Sequence, residues 1–154
     1  FSAVADLDVV YVPIGLGSGI AGLIRTRDLL GLKTEIVGVV SDALPAYALS
    51  FAAGRVITTP PAATIADGMA TRFPEPAALD VILAGAARVI RLGEDEIKAA
   101  IRAYWTDTHN LAEGAGAAPL AGLLQERGRL AGKRAGVILC GGNIDLDWFR
   151  DRVL

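Results

Sequence analysis

The sequence predicts an α/β fold in which a parallel, twisted sheet is flanked by helices. Three observations carry that prediction. Short apolar runs with strand character alternate with segments of helical period along all 154 residues. The apolar share is high, 53% with a mean hydropathy of +0.45, and Ala, Val, Ile, Leu and Gly supply it, because the aromatics number only nine (two Trp, three Tyr and four Phe). Strands covered on both faces favour that composition. Two strand-to-helix turns are built from small residues that expose the backbone. In a parallel sheet such turns lie at the carboxyl edge, where ligands bind.

Taken in order, strands are expected at 9–14, 35–40, 87–92 and 135–140, and helices at 18–31, 43–53, 77–86, 94–107, 114–127 and 144–153. The first strand, Val9 to Ile14 with Pro13 inserted, delivers the chain into Gly15, Gly17, Gly19 and Gly22. Ile20, Leu23, Ile24, Leu29 and Leu30 then repeat at helical spacing, with Arg25, Arg27 and Asp28 opposite. Asp42 is placed to cap the helix that carries Tyr47, Leu49 and Phe51, and Gly54 to end it. Thr58 to Pro76 holds four of the seven prolines and reads as an irregular surface excursion, with Asp67 and Gly68 as a turn-forming pair. After Gly93 come acids in a first helical turn, Glu94, Asp95 and Glu96, and Ile97, Ala100, Ile101 and Tyr104 share one apolar face. Those three acids and Asp107 read as a solvated face. The last unit repeats the opening design: Ala135 to Leu139 runs into Cys140, Gly141, Gly142 and Asn143, and Asn143 or Asp145 caps the closing helix.

Composition narrows the function classes. A net charge of -2 gives no basic surface, so nucleic acid is not an expected partner. The longest uncharged run, the 16 residues from Val9 to Ile24, contains Pro13 and four glycines and is too short to span a bilayer, so no membrane segment is expected. One cysteine, Cys140, rules out an internal disulfide framework, and no signal-peptide pattern opens the sequence. A cytoplasmic location is the resulting expectation. The first residue is Phe, and Phe1 to Val4 read as the tail of a helix already under way. The chain is therefore expected to be part of a longer polypeptide, in keeping with its apolar excess.

Strand, glycine loop and helix N-terminus together form a phosphate cradle, in which glycine lets successive N–H groups turn toward one anion. Gly17, Gly19 and Gly22 also satisfy G-x-G-x-x-G, with Asp42 near the place of a ribose-binding acid. A dinucleotide-binding, Rossmann-like oxidoreductase domain is thus one reading. Pro13, Ser18 inside the fingerprint and the Cys140 turn have no part in that scheme.

Three separated stretches support another reading. VYVPIGLGSGIAG, then LAEGAGAAPLAGLL from Leu111, then VILCGGNIDL from Val137 resemble, in order and spacing, the C-terminal half of the threonine dehydratase and serine racemase family. These are pyridoxal-phosphate enzymes of the tryptophan-synthase β fold. EIVGVVSD, AYALSFAAGRVI, TIADGMA and RVIRLGEDEI fit as connecting elements, so the resemblance covers essentially the whole chain. It implies that residues 1–154 are the C-terminal half of the cofactor-binding large domain of a fold-type II enzyme.

The resemblance also implies roles. Gly15, Leu16, Gly17, Ser18 and Gly19 fall where the family's glycine loop holds the cofactor phosphate. Cys140 matches the Ser or Cys that faces the pyridine nitrogen. Glu113 matches a glutamate at a helix start near the ring, although an acid is favourable there without any function. His109, the only histidine, is expected to be an exposed helix-end residue. Asn143 is expected to be a cap first and a supporting residue second. Some members hold a divalent cation through an acid after the second strand of this half; Val40 occupies that position, so no metal is expected. The family's Schiff-base lysine lies in its N-terminal half, whereas the lysines here are Lys33, Lys98 and Lys133, all in surface contexts.

The implied activity is that of a pyridoxal-phosphate-dependent dehydratase or ammonia-lyase, converting a threonine- or serine-type β-hydroxy amino acid to a 2-oxo acid and ammonia. The implied partners are the N-terminal half of the same enzyme, a small amino-acid substrate and a second copy in a homodimer. A non-catalytic interaction fragment is the remaining alternative.

Overall fold

The computed structural model describes every residue except Ser2 and Ala5. Four strands, β1 (Val9–Pro13), β2 (Glu35–Ser41), β3 (Arg88–Leu92) and β4 (Ala135–Val137), form one parallel sheet in the order β3-β2-β1-β4. Between and after them lie α1 (Ser18–Leu29), α2 (Ala46–Ala53), α3 (Pro76–Gly85), α4 (Glu94–Thr108), α5 (Gly114–Gln125) and α6 (Leu146–Arg152). In register, Tyr11 of β1 faces Val37 of β2 and Val137 of β4, and Val37 in turn faces Arg88 of β3.

The period-2 alternation of the strands divides the apolar residues between two cores. Val10, Val12, Ile36 and Val40 pack with Ile20, Ile24, Tyr47, Leu79 and Ile82 from α1, α2 and α3. Val9, Tyr11, Val37 and Val39 pack with Ile97, Ile101, Ala117, Ala118 and Phe149 from α4, α5 and α6. The chain leaves β1 toward β2 and returns to β4 on the other side. The order of strands therefore reverses between β1 and β4, which leaves a crevice beyond their carboxyl ends.

Several expectations are corrected by this packing. In α1 the inward face is Ile20 and Ile24, followed by Arg27, while Leu29 is 86% and Leu30 55% exposed. Arg27 turns inward because its guanidinium donates to the carbonyl of Gly85, at 2.9 Å, and to that of Thr34. Gly22 does not let α1 lie close to the sheet, since it is exposed and a Cβ there would meet nothing within 4 Å; the close approach comes from Gly38 of β2, whose missing side chain makes room for Ile14 and Ile20. Asp42 does not cap α2, which begins after Pro45; its carboxylate instead pairs with Arg91. β4 is shorter than expected, since after Ile138 the chain turns away toward α6, which Asp145 caps by accepting from Trp148 N at 2.8 Å. Phe1, Ala3 and Val4 carry no helical structure, and Ser2 lies outside the described residues.

The excursion from 58 to 76 is irregular, as expected, apart from a single 3-10 turn at Asp67–Met69. It is tied down by Glu94, which is not part of a solvated face. Its carboxylate accepts from Thr64 Oγ1 at 2.7 Å, Ile65 N at 2.8 Å and Ser41 Oγ at 3.0 Å. One side chain thus joins the end of β2, the start of α4 and the loop that carries Gly68 to the sheet edge.

Candidate functional site

The loop between β1 and α1 forms one wall of the crevice. Gly17 caps α1 with a φ of 96°, a conformation that costs a side-chain-bearing residue about 1–2 kcal/mol. A Cβ at Gly17 would also lie 2.7 Å from Ala78 Cβ and 2.9 Å from Tyr47 Oη, so both backbone and space require glycine. Hydrogen bonds anchor the loop on either side, from Ile14 N to Val39 O and from Ala21 N to Gly17 O, each at 3.0 Å. Between those anchors, among the described residues, the N–H groups of Gly15, Leu16, Gly17, Ser18 and Gly19 donate to no protein acceptor. The first turn of α1 contains no acid, so its positive end is uncompensated.

The opposite wall comes from the start of α5 and the turn after β4. Glu113 N donates to Gly141 O at 3.1 Å, which joins the two segments. The Glu113 side chain lies against Gly141 so closely that a Cβ at that position would strike its carboxylate. Glu113 itself is the N-cap residue of α5 without a capping bond from its side chain, which leaves the carboxylate free to face the crevice. Cys140 is exposed beside it. Loss of solvent around the sulfur and the charge of Glu113 push the thiol above its ordinary pKa, so it is neutral at physiological pH.

Gly15, Leu16, Gly17, Ser18, Gly19, Glu113 and Cys140, nominated from three distant stretches, all line one cavity of about 360 Å³. Val12 and Pro13 from β1, Ile138 beyond β4, and Gly68 and Ala115 complete it. It occupies the point where the strand order reverses. A larger groove of about 560 Å³ lies between α4 and α5, lined by Glu96, Ala99, Leu124 and Arg127 among others. Size does not decide between them: the smaller cavity gathers unpaired donors, a neutral thiol and a carboxylate at the ends of parallel strands. The cradle fits a phosphate group because its donors are unpaired and its missing side chains leave the backbone open.

Other candidates fall elsewhere. Asn143 lines a neighbouring cavity of about 270 Å³ that shares Glu113 and Ala115 with the first. His109 is an exposed residue with a φ of 57° that ends α4. Asp95, Glu96 and Asp107 are exposed, and Asp95 pairs with Lys98 at 3.1 Å. Among the described residues no group of three His, Cys, Asp or Glu side chains converges in a way that could hold a metal. The fingerprint alternative loses two supports, since Gly22 is exposed and Asp42 is drawn to Arg91. Gly68 was not singled out as a lining residue from the sequence, and the only signal was its place in the turn-forming Asp67–Gly68 pair. Tyr47, whose hydroxyl donates to Leu16 O, was read only as a helix residue.

Comparison with known proteins places the same residues in a family context. A family model described as "Pyridoxal-phosphate dependent enzyme" matches residues 2–141. The chain is 37% identical to L-threonine ammonia-lyase of Geobacter sulfurreducens over 142 residues, covering 92% of this chain and 35% of that protein. It is 32% identical to phenylserine dehydratase of Ralstonia pickettii over 144 residues, covering 93% of this chain and 44% of that one. The chain thus spans less than half the length of these curated relatives. Its backbone matches the structure of maize serine racemase with a TM-score of 0.89 at 26% identity, covering 97% of this chain and 47% of that one. Among the described residues no helix is long and apolar enough to cross a membrane.

Proposed function

The chain belongs to the pyridoxal-phosphate dependent enzymes, and we propose that it forms the cofactor-holding C-terminal half of the large domain of a dehydratase or ammonia-lyase. The proposed substrate is a threonine- or serine-type β-hydroxy amino acid, and the products are a 2-oxo acid and ammonia. The observation that carries this is the convergence of Gly15 to Gly19, Glu113 and Cys140 on one cavity at the carboxyl ends of β1 and β4.

Each part has a physical task. The unpaired N–H groups from Gly15 to Gly19, at the positive end of α1, would hold the phosphate. When bound, pyridoxal 5'-phosphate supplies an electron sink for the charge left as the Cα–H bond of an amino acid breaks. Cys140 is the residue that would face the ring nitrogen, and a neutral thiol there would give no fixed negative charge to keep that nitrogen protonated, which would temper the sink and favour loss of the β-substituent over transamination. Burial first, and the charge of Glu113 second, push the thiol further toward its neutral form, and Glu113 N braces the turn at Gly141. Phosphate-loop and ring contacts come from this chain. The Schiff-base lysine comes from an N-terminal half, and a homodimer is the proposed assembly.

The test is turnover by the full-length protein supplied with threonine or serine. Release of 2-oxo acid and ammonia is expected, together with a changed cofactor absorption spectrum in Cys140→Ala. Saturable NAD binding with no 2-oxo acid formed would overturn the proposal.

A further inference from the structure

We propose that Tyr47 is a positioning residue for the phosphate cradle, holding the Leu16–Gly17 peptide so that its N–H faces the cavity. The inference rests on the cradle being the phosphate site described above. Tyr47 is only 1% exposed, its ring packs in the core with Ile20 and Ile24 of α1, and its hydroxyl lies 2.9 Å from where a Cβ of Gly17 would be. That hydroxyl donates to Leu16 O at 2.8 Å and accepts from Glu75 N at 3.1 Å.

The two bonds fix a direction. Glu75 N occupies the acceptor side of the oxygen, so the hydroxyl hydrogen is directed at Leu16 O. In a trans peptide the carbonyl of one residue and the N–H of the next point opposite ways. Drawing Leu16 O back toward Tyr47 therefore turns Gly17 N–H outward. Glycine at 17 gives this peptide freedom to rotate, and a flipped peptide would present a carbonyl oxygen to an anion. The cost of the glycine loop is thus a risk of misorientation, and Tyr47 removes it. Burial raises the tyrosine above its ordinary pKa, with the Glu75 N–H bond acting the other way, so the donor is retained at physiological pH. Through Glu75, the residue that precedes α3, the same hydroxyl ties the loop to the entry of that helix.

The experiment compares pyridoxal 5'-phosphate with pyridoxal, which lacks the phosphate, in titrations of the full-length apoprotein. In Tyr47→Phe the preference for the phosphorylated form is expected to fall about ten-fold, the worth of one oriented hydrogen bond, while pyridoxal binding changes by less than about two-fold. An equal loss for both ligands would show a merely structural role and overturn the proposal, as would an unchanged preference. A wild-type protein indifferent to the phosphate would overturn the cradle itself. Because preference is a ratio within one protein, partial unfolding cancels. Should Tyr47→Phe give no folded protein, 4-aminophenylalanine in place of Tyr47 keeps an N–H donor at the same ring position and is expected to preserve the preference. Loss of the preference in that folded variant would contradict the role.

Discussion

The two ends of α5 lie in opposite surroundings. At the C-terminal end, Glu126 accepts from Tyr11 Oη at 2.7 Å and from Arg88 Nη2 at 2.6 Å, and Arg88 reaches Glu35 at 2.7 Å. Burial alone would raise the Glu126 carboxyl, but the bonds from Arg88 and Tyr11 outweigh it and hold it below the ordinary carboxylate range. Tyr11 is pushed up to about 12, first by burial and then by the bond to Glu126. At the N-terminal end, Glu113 makes no capping bond, the Cys140 thiol is exposed, and across the crevice five N–H groups find no protein acceptor among the described residues. Polar groups that satisfy one another hold the fold together. Polar groups left open around the other end of the helix are available to a ligand.

Four substitutions probe that contrast, from the strongest expected effect to the weakest. Arg88→Met leaves the half-buried Glu126 with only the exposed Arg129 and the Tyr11 hydroxyl as partners and takes the Arg88 partner from Glu35 as well, and is expected to lower the unfolding free energy by about 3 kcal/mol while cofactor affinity stays within about two-fold. Denaturant titration and cofactor binding measured on one protein would show whether the clamp and the cavity are separable. Gly17→Val places a branched side chain at a φ of 96° against Ala78 and Tyr47, and should weaken cofactor binding in the full-length protein about a hundred-fold. Normal binding by that variant would remove the loop from the site. Cys140→Ala should slow turnover about ten-fold and alter the cofactor spectrum, with stability changed by less than about 0.5 kcal/mol because the residue is exposed.

Tyr11→Phe is the mildest, at about 1 kcal/mol for the lost bond to Glu126. Its signature is in the pH dependence. The raised pKa means that the folded state holds the phenolic proton more tightly than the unfolded chain does. The contribution of Tyr11 is therefore complete below pH 10 and lost as pH rises through about 12. The variant should lack that part of the alkaline loss of stability, and an unchanged alkaline profile would show that Tyr11 plays no part in the clamp.

Much of the fold was legible because its signals are local. Period, glycine and proline punctuation, and the acids after Gly93 located α4 and β3 almost to the residue. The cavity that gathers the candidate residues was legible for a related reason: close approach of backbones demands small residues, and Gly15 to Gly19, Gly114 to Gly116 and Cys140 to Gly142 record that demand in the chain. What escaped depends on partners far along the chain. Arg27 looked solvent-facing because the carbonyl it reaches, on Gly85, is 58 residues away. Glu94 looked like one of three surface acids until Thr64 and Ser41 converged on it. Tyr47 looked like an ordinary helix residue for the same reason, since nothing near it in sequence announces a bond to Leu16.

The most direct test of the cradle is binding of pyridoxal 5'-phosphate to the full-length apoprotein at rising concentrations of inorganic phosphate. A site held by the loop N–H groups predicts that phosphate competes, raising the apparent Kd in proportion to its concentration, and that NAD does not bind. A cofactor titration indifferent to phosphate, or saturable binding of NAD, would contradict it.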